Sequence, residues 1–332
     1  MRPYRTIALL AAISLPVCGL TVAESDKPAP KQTSPSSDDL YALGKALFDE
    51  YAPEEIKRDY EFPSKKQWDE FVAKLEKAMQ GDSMAELAEL EPQARAALKL
   101  LDAIPQGSEL ADWLRERLDM IEAAKQLVKY QPPTRPEKPG VTRPSPPSFL
   151  VPHGAPAIPN YELWVSRLRD RPLPENAAEL MPVLRRAFAL EGVPADLAWI
   201  AEVESTLNPS ARSPVGAKGL FQLMPETAKG LGLSTWMPDE RTHPEKSARA
   251  AARFLNQLHA EFGDWPLALA AYNAGGGRVR RTLEKQGGKS FSDIAAFLPV
   301  ETRFYVPKVL ATVSMRTGSS SEKLAAFDGR HF

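Results

Sequence analysis

The chain of 332 residues has very little cysteine and histidine: one cysteine, Cys18, and four histidines. The histidines stand far apart, and the sequence contains neither a CxxC nor an HExxH pattern, the spacings typical of zinc sites. With no cysteine after residue 23, an internal disulfide in that part of the chain is excluded. We therefore expect no metal and no cofactor.

An excess of charge of either sign is also missing. The chain has 42 Lys and Arg against 43 Asp and Glu, a net charge of −1. Proteins that bind nucleic acid usually carry a strong basic excess, so the composition argues against a nucleic-acid partner. The length suggests two domains, at roughly 100–200 residues per domain.

A hydrophobic run long enough to span a membrane is missing as well, although residues 1–23 have the pattern of an export signal. They begin with two arginines, continue with an apolar run and end in small residues. A retained membrane anchor is the alternative, but the run is short for the roughly 20 residues that a spanning helix needs, and Pro16 interrupts it. Val17 before Cys18 disfavours a lipid anchor, which usually follows a small residue. We predict an exported protein, and attachment to a membrane by the signal or by a lipid stays open.

The segment that follows the signal is predicted to be helical after a short tether. Residues 24–37 are polar and rich in Pro and Ser, which is typical of a flexible segment. Residues 38–130 contain four amphipathic runs and predict a small helical bundle. The runs cover Asp38–Tyr51, a stretch that opens at Ser64, about Ser83–Ala103 and about Ser108–Tyr130.

The bundle segment contains a capping-box pattern and an excess of acidic residues. Ser64 and Gln67 have the spacing of a capping box at the start of the second run. From Glu24 to Tyr130 there are 15 Lys and Arg against 23 Asp and Glu, a net charge of −8. The simplest interpretation of this charge is a solvated face. The role of the segment is not readable, and a protein partner is possible.

Proline is abundant in one place. Residues 131–160 hold ten of the 31 prolines, a density that prevents a helix and favours an extended polyproline conformation. This segment is predicted to be a linker. Residues 161–332 are again mostly helical and form the second domain, with 22 Lys and Arg against 19 Asp and Glu.

A candidate catalytic carboxylate lies in the stretch AEVESTLNPSARSPVGAKGLFQLMPETA, Ala201–Ala228. A helix is predicted over Pro194–Glu204, because proline favours the first helical turn. Glu204 ends an apolar stripe of that helix, whereas Glu202 points elsewhere and is predicted to be exposed to solvent. The negative end of the helix dipole and apolar neighbours both raise the pKa of Glu204, as a general acid requires.

Three further stretches favour a sugar-binding groove. They are GLFQLMPETA at Gly219–Ala228, AAYNAGGGRV at Ala270–Val279 and ETRFYVPKVLA at Glu301–Ala311. Glycines let a backbone approach a ligand closely, and Tyr and Asn offer the flat apolar face and the hydrogen bonds that sugar rings need. The run Gly275–Gly277 is not a phosphate-binding loop, since no Lys-Ser/Thr follows it and no parallel-sheet pattern precedes it.

Together the motifs E-S, G-L-F-Q, A-Y-N and a late E-T-x-x-Y resemble the soluble lytic transglycosylases. These are lysozyme-like enzymes of glycoside hydrolase family 23, related to goose-type lysozyme, and the resemblance is greatest to the membrane-bound murein transglycosylase D group. It covers about Glu179–Met315 and implies a mainly α, lysozyme-like (α+β) domain at residues 161–332. The wall-binding repeats of that group have no counterpart after Met315, so we do not expect anchoring by such repeats.

The resemblance implies a set of site residues. Glu204 matches the catalytic glutamate, and Glu301 matches a common family position without a chemical role. Six residues are expected to bind or surround the substrate: Ser205, Ser213, Gln222, Tyr272, Asn273 and Tyr305. Core packing is the alternative role for the two tyrosines.

The implied activity is cleavage of peptidoglycan in the periplasm. The family's route breaks the β-1,4 bond between N-acetylmuramic acid and N-acetylglucosamine and leaves a 1,6-anhydro-muramoyl end, with one glutamate acting as acid and then as base. Hydrolysis, as by a muramidase, is the alternative within enzymes. A non-catalytic peptidoglycan-binding module is the alternative from another class. The sequence does not decide between endo and exo action.

Overall fold

A computed structural model describes residues 5–6, 45–46, 48–50, 52–102, 108–130, 158–213 and 215–318. The predicted signal and tether at 1–37, apart from residues 5–6, lie outside the described residues. So do most of the predicted linker, residues 131–157, and the tail after Gly318. In the part of the chain that the structure describes, no helix is both long and apolar enough to cross a membrane.

Residues 45–46 and 48–50 of the N-terminal part are helical. Its described ranges also contain five helices and two very short strands with defined bounds. They are β1 (Arg5–Thr6), α1 (Glu54–Asp59), β2 (Tyr60–Glu61), α2 (Lys65–Gln80), α3 (Met84–Ala88), α4 (Glu91–Asp102) and α5 (Ser108–Tyr130). The two strands pair in parallel, with Arg5 opposite Tyr60. Helix α5 has the predicted bounds, and the capping box at Ser64 and Gln67 is confirmed at the start of α2.

The third predicted helix is two helices, α3 and α4. Pro92 is the reason, because it lies in the first turn of α4, where its missing N–H is not needed. In an unbroken helix its ring would clash with the carbonyl of Ala88. The chain turns at Glu89 and Leu90 instead, and the Leu90 side chain is fully buried between the helices.

The C-terminal part is helical as well. Its elements are α6 (Tyr161–Leu168), α7 (Ala177–Leu190), a 3₁₀ turn (Ala195–Trp199), α8 (Ile200–Ser205), α9 (Pro225–Gly230), a 3₁₀ turn (Glu240–Thr242), α10 (Pro244–Phe262), α11 (Trp265–Ala274), α12 (Gly276–Gln286), α13 (Phe291–Ile294), a 3₁₀ turn (Ala295–Phe297) and α14 (Val300–Thr317). Two isolated bridges, from Lys218 to Arg212 and to Leu223, are the β structure among the described residues after 157. The mainly α class is confirmed.

Helix α14 lies between two hydrophobic cores. One side of it, with Tyr305, Val306 and Val309, packs into the core of the C-terminal part. The opposite side, with Phe304, packs with α6 into the core of the N-terminal helices. A helix covered on all sides is expected to be apolar all round, and α14 is buried along most of its length. The two parts of the chain therefore share one central helix.

Candidate active site

Helix α8 carries the candidate acid in its last turn. The predicted helix is confirmed, with its first turn wound as a 3₁₀ helix. It ends because Thr206 and Leu207 both adopt the left-handed conformation, with φ of 52° and 58°. This places Glu204 at the negative end of the helix, where it is partly exposed to solvent.

The pKa of Glu204 is raised to about 7, mainly because burial disfavours its charged form. The hydroxyl of Tyr305 donates a hydrogen bond of 2.5 Å to Glu204 Oε1 and lowers this pKa, as does the positive charge of Arg117. The carboxylates of Glu301 and Glu116 act in the opposite direction. The result is a carboxyl group that keeps its proton up to neutral pH and can then release it.

The prediction for Glu202 is wrong, because its side chain is buried, with 2% of the residue exposed. The guanidinium of Arg316 from α14 donates to both of its oxygens, at 2.8 Å and 2.6 Å. Helix α8 is short and is covered on more than one side, so the face opposite Glu204 also meets protein. The two glutamates of the E-V-E stretch therefore have separate tasks: Glu204 faces the site and Glu202 ties α8 to α14.

The A-Y-N stretch connects the other two motifs. Tyr272 at the end of α11 donates a hydrogen bond of 2.8 Å to the carbonyl of Phe221 in the G-L-F-Q stretch. Asn273 accepts one of 2.7 Å from the hydroxyl of Thr302 in α14. Burial raises the pKa of Tyr272, and the charge of Glu204 raises it further, so this phenol stays protonated beside the acid.

Ser213 and Gln222 lie in the loop between α8 and α9. The Ser213 hydroxyl accepts from the backbone N–H of Ala217 at 3.0 Å, and Ser213 is 8% exposed. Gln222 has a left-handed backbone, and its amide donates to the carbonyl of Gly219 at 2.9 Å. Both side chains thus shape the loop in this structure, and their role toward a substrate stays a prediction.

Arg241 supports the same loop through hydrogen bonds to its backbone. This residue was not identified from the sequence. Its guanidinium donates to the carbonyls of Gly216 at 2.9 Å and Leu223 at 3.1 Å, and Asp239 fixes it from the other side. Gly219 lies so close that a Cβ there would come within 2.0 Å of the Arg241 carbonyl oxygen. Its φ of +79° also favours glycine.

Ser205 faces the interior. Its hydroxyl lies 3.0 Å from the carbonyl oxygens of Ala201 and Leu220 and can donate a hydrogen bond to either. Ser205 is 3% exposed, so its contact in this structure is with the loop backbone. The residue links α8 to the G-L-F-Q stretch, and substrate binding by it remains a prediction.

The acidic face of the N-terminal helices is partly buried, which corrects the interpretation of this charge as solvated. Glu116 of α5 is 7% exposed and contacts Lys308 of α14, and Asp119 lies 3.0 Å from the same ammonium group. The sequence did carry one signal for this contact. Lys308 is a single cation in the apolar run FYVPKVLA, and a charge placed there needs a buried partner.

In the ranges that the structure describes, no three His, Cys, Asp or Glu side chains come together as they would around an ion. The chemistry that this arrangement offers is that of one protonated carboxyl group held by a phenol.

A family model, the transglycosylase SLT domain, matches residues 185–295. Its range includes Glu204, Tyr272 and Asn273 but stops before Tyr305. Among solved structures, the 70 kDa soluble lytic transglycosylase of Escherichia coli is similar at 18% identity and a TM-score of 0.39, covering 88% of this chain and 58% of that one.

Two bacterial proteins illustrate the sequence similarity. Membrane-bound lytic murein transglycosylase D of Escherichia coli K12 is 40% identical over 123 residues, which are 36% of this chain and 27% of that protein. Soluble lytic murein transglycosylase of Salmonella typhimurium LT2 is 41% identical over 122 residues, 34% of this chain and 19% of that protein. The chain thus matches a minor part of each relative's length. Residues 185–295 of the present chain, with Glu204 at the end of α8, match the model of the transglycosylase SLT domain.

Proposed function

We propose that this protein is a peptidoglycan lytic transglycosylase, in which Glu204 acts first as acid and then as base. The observation that carries the proposal is the state of Glu204: a partly exposed carboxyl group with a pKa of about 7, bonded to the Tyr305 hydroxyl at 2.5 Å. Such a group can donate a proton near neutral pH and accept one in the next step. The names of the similar proteins, lytic murein transglycosylases, support the same substrate.

The neighbouring carboxylates favour a route with one protein carboxylate. Glycosidases commonly use two, except where the substrate itself assists. Glu301 accepts a hydrogen bond of 3.0 Å from Gln80, and Glu116 contacts Lys308. Because both carboxylates are held by the protein, neither is a good candidate for a nucleophile or a second base.

The proposed reaction takes its second group from N-acetylmuramic acid. Glu204 donates its proton to O4 of the leaving sugar as the C1–O4 bond breaks, and the acetamido oxygen at C2 supports the charge that grows at C1. The Glu204 carboxylate then removes the proton of the O6 hydroxyl, and O6 bonds to C1. The products are a 1,6-anhydro-muramoyl end and a free O4 hydroxyl, and no water is consumed. Asn273 would orient the acetamido group, and Tyr305 would orient Glu204. Since peptidoglycan lies outside the cytoplasmic membrane, this activity needs the export predicted from residues 1–23.

Incubation of the purified chain with peptidoglycan sacculi should release muropeptides with anhydro ends. Mass spectrometry separates these ends from hydrolysed ones, because an anhydro end is lighter by one water. The reason for this outcome is that O6 attacks C1 within the same sugar and needs no second molecule. Reducing ends would show a muramidase instead. Binding to sacculi without any release would favour a non-catalytic wall-binding module.

The rate of release should fall as the pH rises above about 7, by about tenfold for each further pH unit. The direction follows from the role of Glu204, which must be protonated to donate, and its protonated fraction declines above its pKa. The measurement is the initial rate of muropeptide release across the neutral and alkaline range. In Tyr305→Phe the hydrogen bond that lowers this pKa is lost, so the decline should begin at a higher pH. A decline at the same pH in both proteins would contradict the assignment of Glu204 as the titrating group.

A further inference from the structure

The N-terminal helices meet the SLT part of the chain through a buried cluster of charges. At its centre is Lys308 of α14, fully buried, with its ammonium group against Glu116 and 3.0 Å from Asp119. Arg167 donates to Asp119 at 2.8 Å, and Arg171 also bonds to it. Burial alone would raise the pKa of Asp119, but these cations hold it well below its usual range. The cluster is a joint between α5, α6 and α14 in which both carboxylates contact cations.

This joint contacts both helices that carry the pair of Glu204 and Tyr305. Lys308 follows Tyr305 by three residues, which is about one turn of α14. Glu116 contacts Lys308 and also accepts a hydrogen bond of 3.4 Å from Thr206, the residue that ends α8. One carboxylate of the N-terminal helices therefore connects the helix that carries Tyr305 to the helix that carries Glu204.

The next residue of α5, Arg117, places a positive charge beside the same site. The half-buried guanidinium interacts with four carboxylates, those of Glu301, Glu204, Glu116 and Glu76. A guanidinium stays protonated in proteins, so its charge does not change with pH. Its positive charge lowers the pKa of Glu204.

A second set of contacts joins the first turn of α14 to the loop after α2. The backbone N–H of Val300 donates to the carbonyl of Gly81 at 2.8 Å, and Arg303 donates to the carbonyl of Asp82 at 3.1 Å. The first N–H groups of a helix have no partner within the helix. Here the loop after α2 supplies one, so the N-terminal part also sets where α14 begins.

We propose that the N-terminal helices form one wall of the acid site, with Glu116 as a positioning residue. Glu116 holds the end of α8 to α14, so that the Tyr305 hydroxyl meets the Glu204 carboxyl group. The inference rests on the proposed function, and it assigns a role to a region that the SLT family model does not cover. The charged or titratable groups that face Glu204 are Tyr305 and Glu301 from α14, Glu116 and Arg117 from α5, and Tyr272 from α11.

The charge of Arg117 is tested by the pH dependence of sacculus cleavage in the full chain. In Arg117→Met the decline of the rate with pH should begin about one pH unit higher than in the wild type, because the neighbouring positive charge is lost. Arg117→Lys should restore most of the wild-type profile. The matched control is Arg95→Met, which removes an exposed arginine from α4 and should leave the profile unchanged.

The joint is tested by Lys308→Met, with Lys308→Arg as the conservative variant. We expect the rate at saturating sacculi to fall by about tenfold or more, because small displacements of catalytic groups are costly. The sacculus concentration that gives half of that rate should change by less than about twofold, since the substrate groove is not altered. Lys308→Arg should recover most of the rate. If Lys308→Met does not fold, as judged by circular dichroism, Thr206→Val decides, because it removes the hydrogen bond from the end of α8 to Glu116 and leaves Lys308 paired; it should lower the rate, and an unchanged rate would overturn the joint.

The outcomes separate the two proposals. A wild-type chain that cleaves no sacculi at any pH would overturn the proposed function, and this inference with it. An active wild type whose pH profile is the same in Arg117→Met would overturn the role of Arg117 alone. A folded Lys308→Met protein with the wild-type rate would do the same for the joint at Glu116.

Discussion

Replacement of Glu204 by glutamine should reduce the release of muropeptides from sacculi by about a thousandfold or more. General acid–base catalysis typically contributes 10²–10⁴-fold, and in the proposed route one carboxyl group performs both proton transfers. Glutamine keeps the shape of the protonated acid and can still accept the hydrogen bond from Tyr305, but it cannot donate an acidic proton. Quantitative mass spectrometry of released fragments measures the loss.

Two controls make this result specific. Glu284→Gln is the same substitution at an exposed position of α12 and should keep the wild-type rate. Binding of Glu204→Gln to sacculi, measured by sedimentation, should be unchanged. If Glu204→Gln retained more than about a tenth of the activity, which is far above what the loss of a general acid leaves, the catalytic assignment would be wrong.

The same substitution should not weaken the fold at neutral pH. A glutamate in the unfolded chain loses its proton near pH 4.5, whereas folded Glu204 keeps its proton up to about pH 7, the value to which burial raises its pKa. The folded state therefore binds the proton more tightly, and the wild type loses stability as the pH rises through this interval. Glutamine has no such dependence, so at pH 7 and above its melting temperature should equal or exceed that of the wild type.

Local patterns predicted the parts of the site that depend on near neighbours. The periodicity around α8 correctly placed Glu204 on the apolar stripe at the end of a helix, and burial there is the main cause of its raised pKa. The meeting of Tyr305 with Glu204 was not derivable in this way, since 101 residues separate them. Only the resemblance of the late E-T-x-x-Y motif to the family assigned Tyr305 to the site.

There is a physical reason why the contact of Lys308 with Glu116 could not be predicted from the sequence. Lys308 and Glu116 are 192 residues apart, and although the apolar run around Lys308 indicates a buried partner, the pattern of neither helix identifies that partner. An acidic residue on an amphipathic helix is usually solvated, so the helical pattern of α5 alone favours the wrong environment for Glu116. The arrangement of the helices decides which faces of a helix are buried. Periodicity shows only which residues share a face of one helix.

Glu202 was predicted to be exposed but forms a buried ion pair with Arg316, and we expect its substitution to have a large effect on stability. Glu202→Gln should lower the free energy of unfolding by about 3 kcal/mol, because removal of one partner from a buried ion pair leaves the other charge uncompensated. Arg316 would keep its hydrogen bonds to the carbonyls of Arg171 and Pro172 but lose its counter-charge. The matched control is Glu226→Gln in the exposed pair with Lys229, where the loss should be below about 1 kcal/mol. Urea denaturation at constant pH measures both.

A double variant distinguishes the unpaired charge from a loss of packing. In Glu202→Gln with Arg316→Met the stranded guanidinium is gone, so this protein should be more stable than Glu202→Gln alone, although it carries one more substitution. If the single loss came from packing around α8, the second substitution would add to it. A double variant less stable than Glu202→Gln would therefore show that the pair is not what holds α8 against α14. The position of Glu204 would then have to come from the apolar contacts of α8 and from the contact of Thr206 with Glu116.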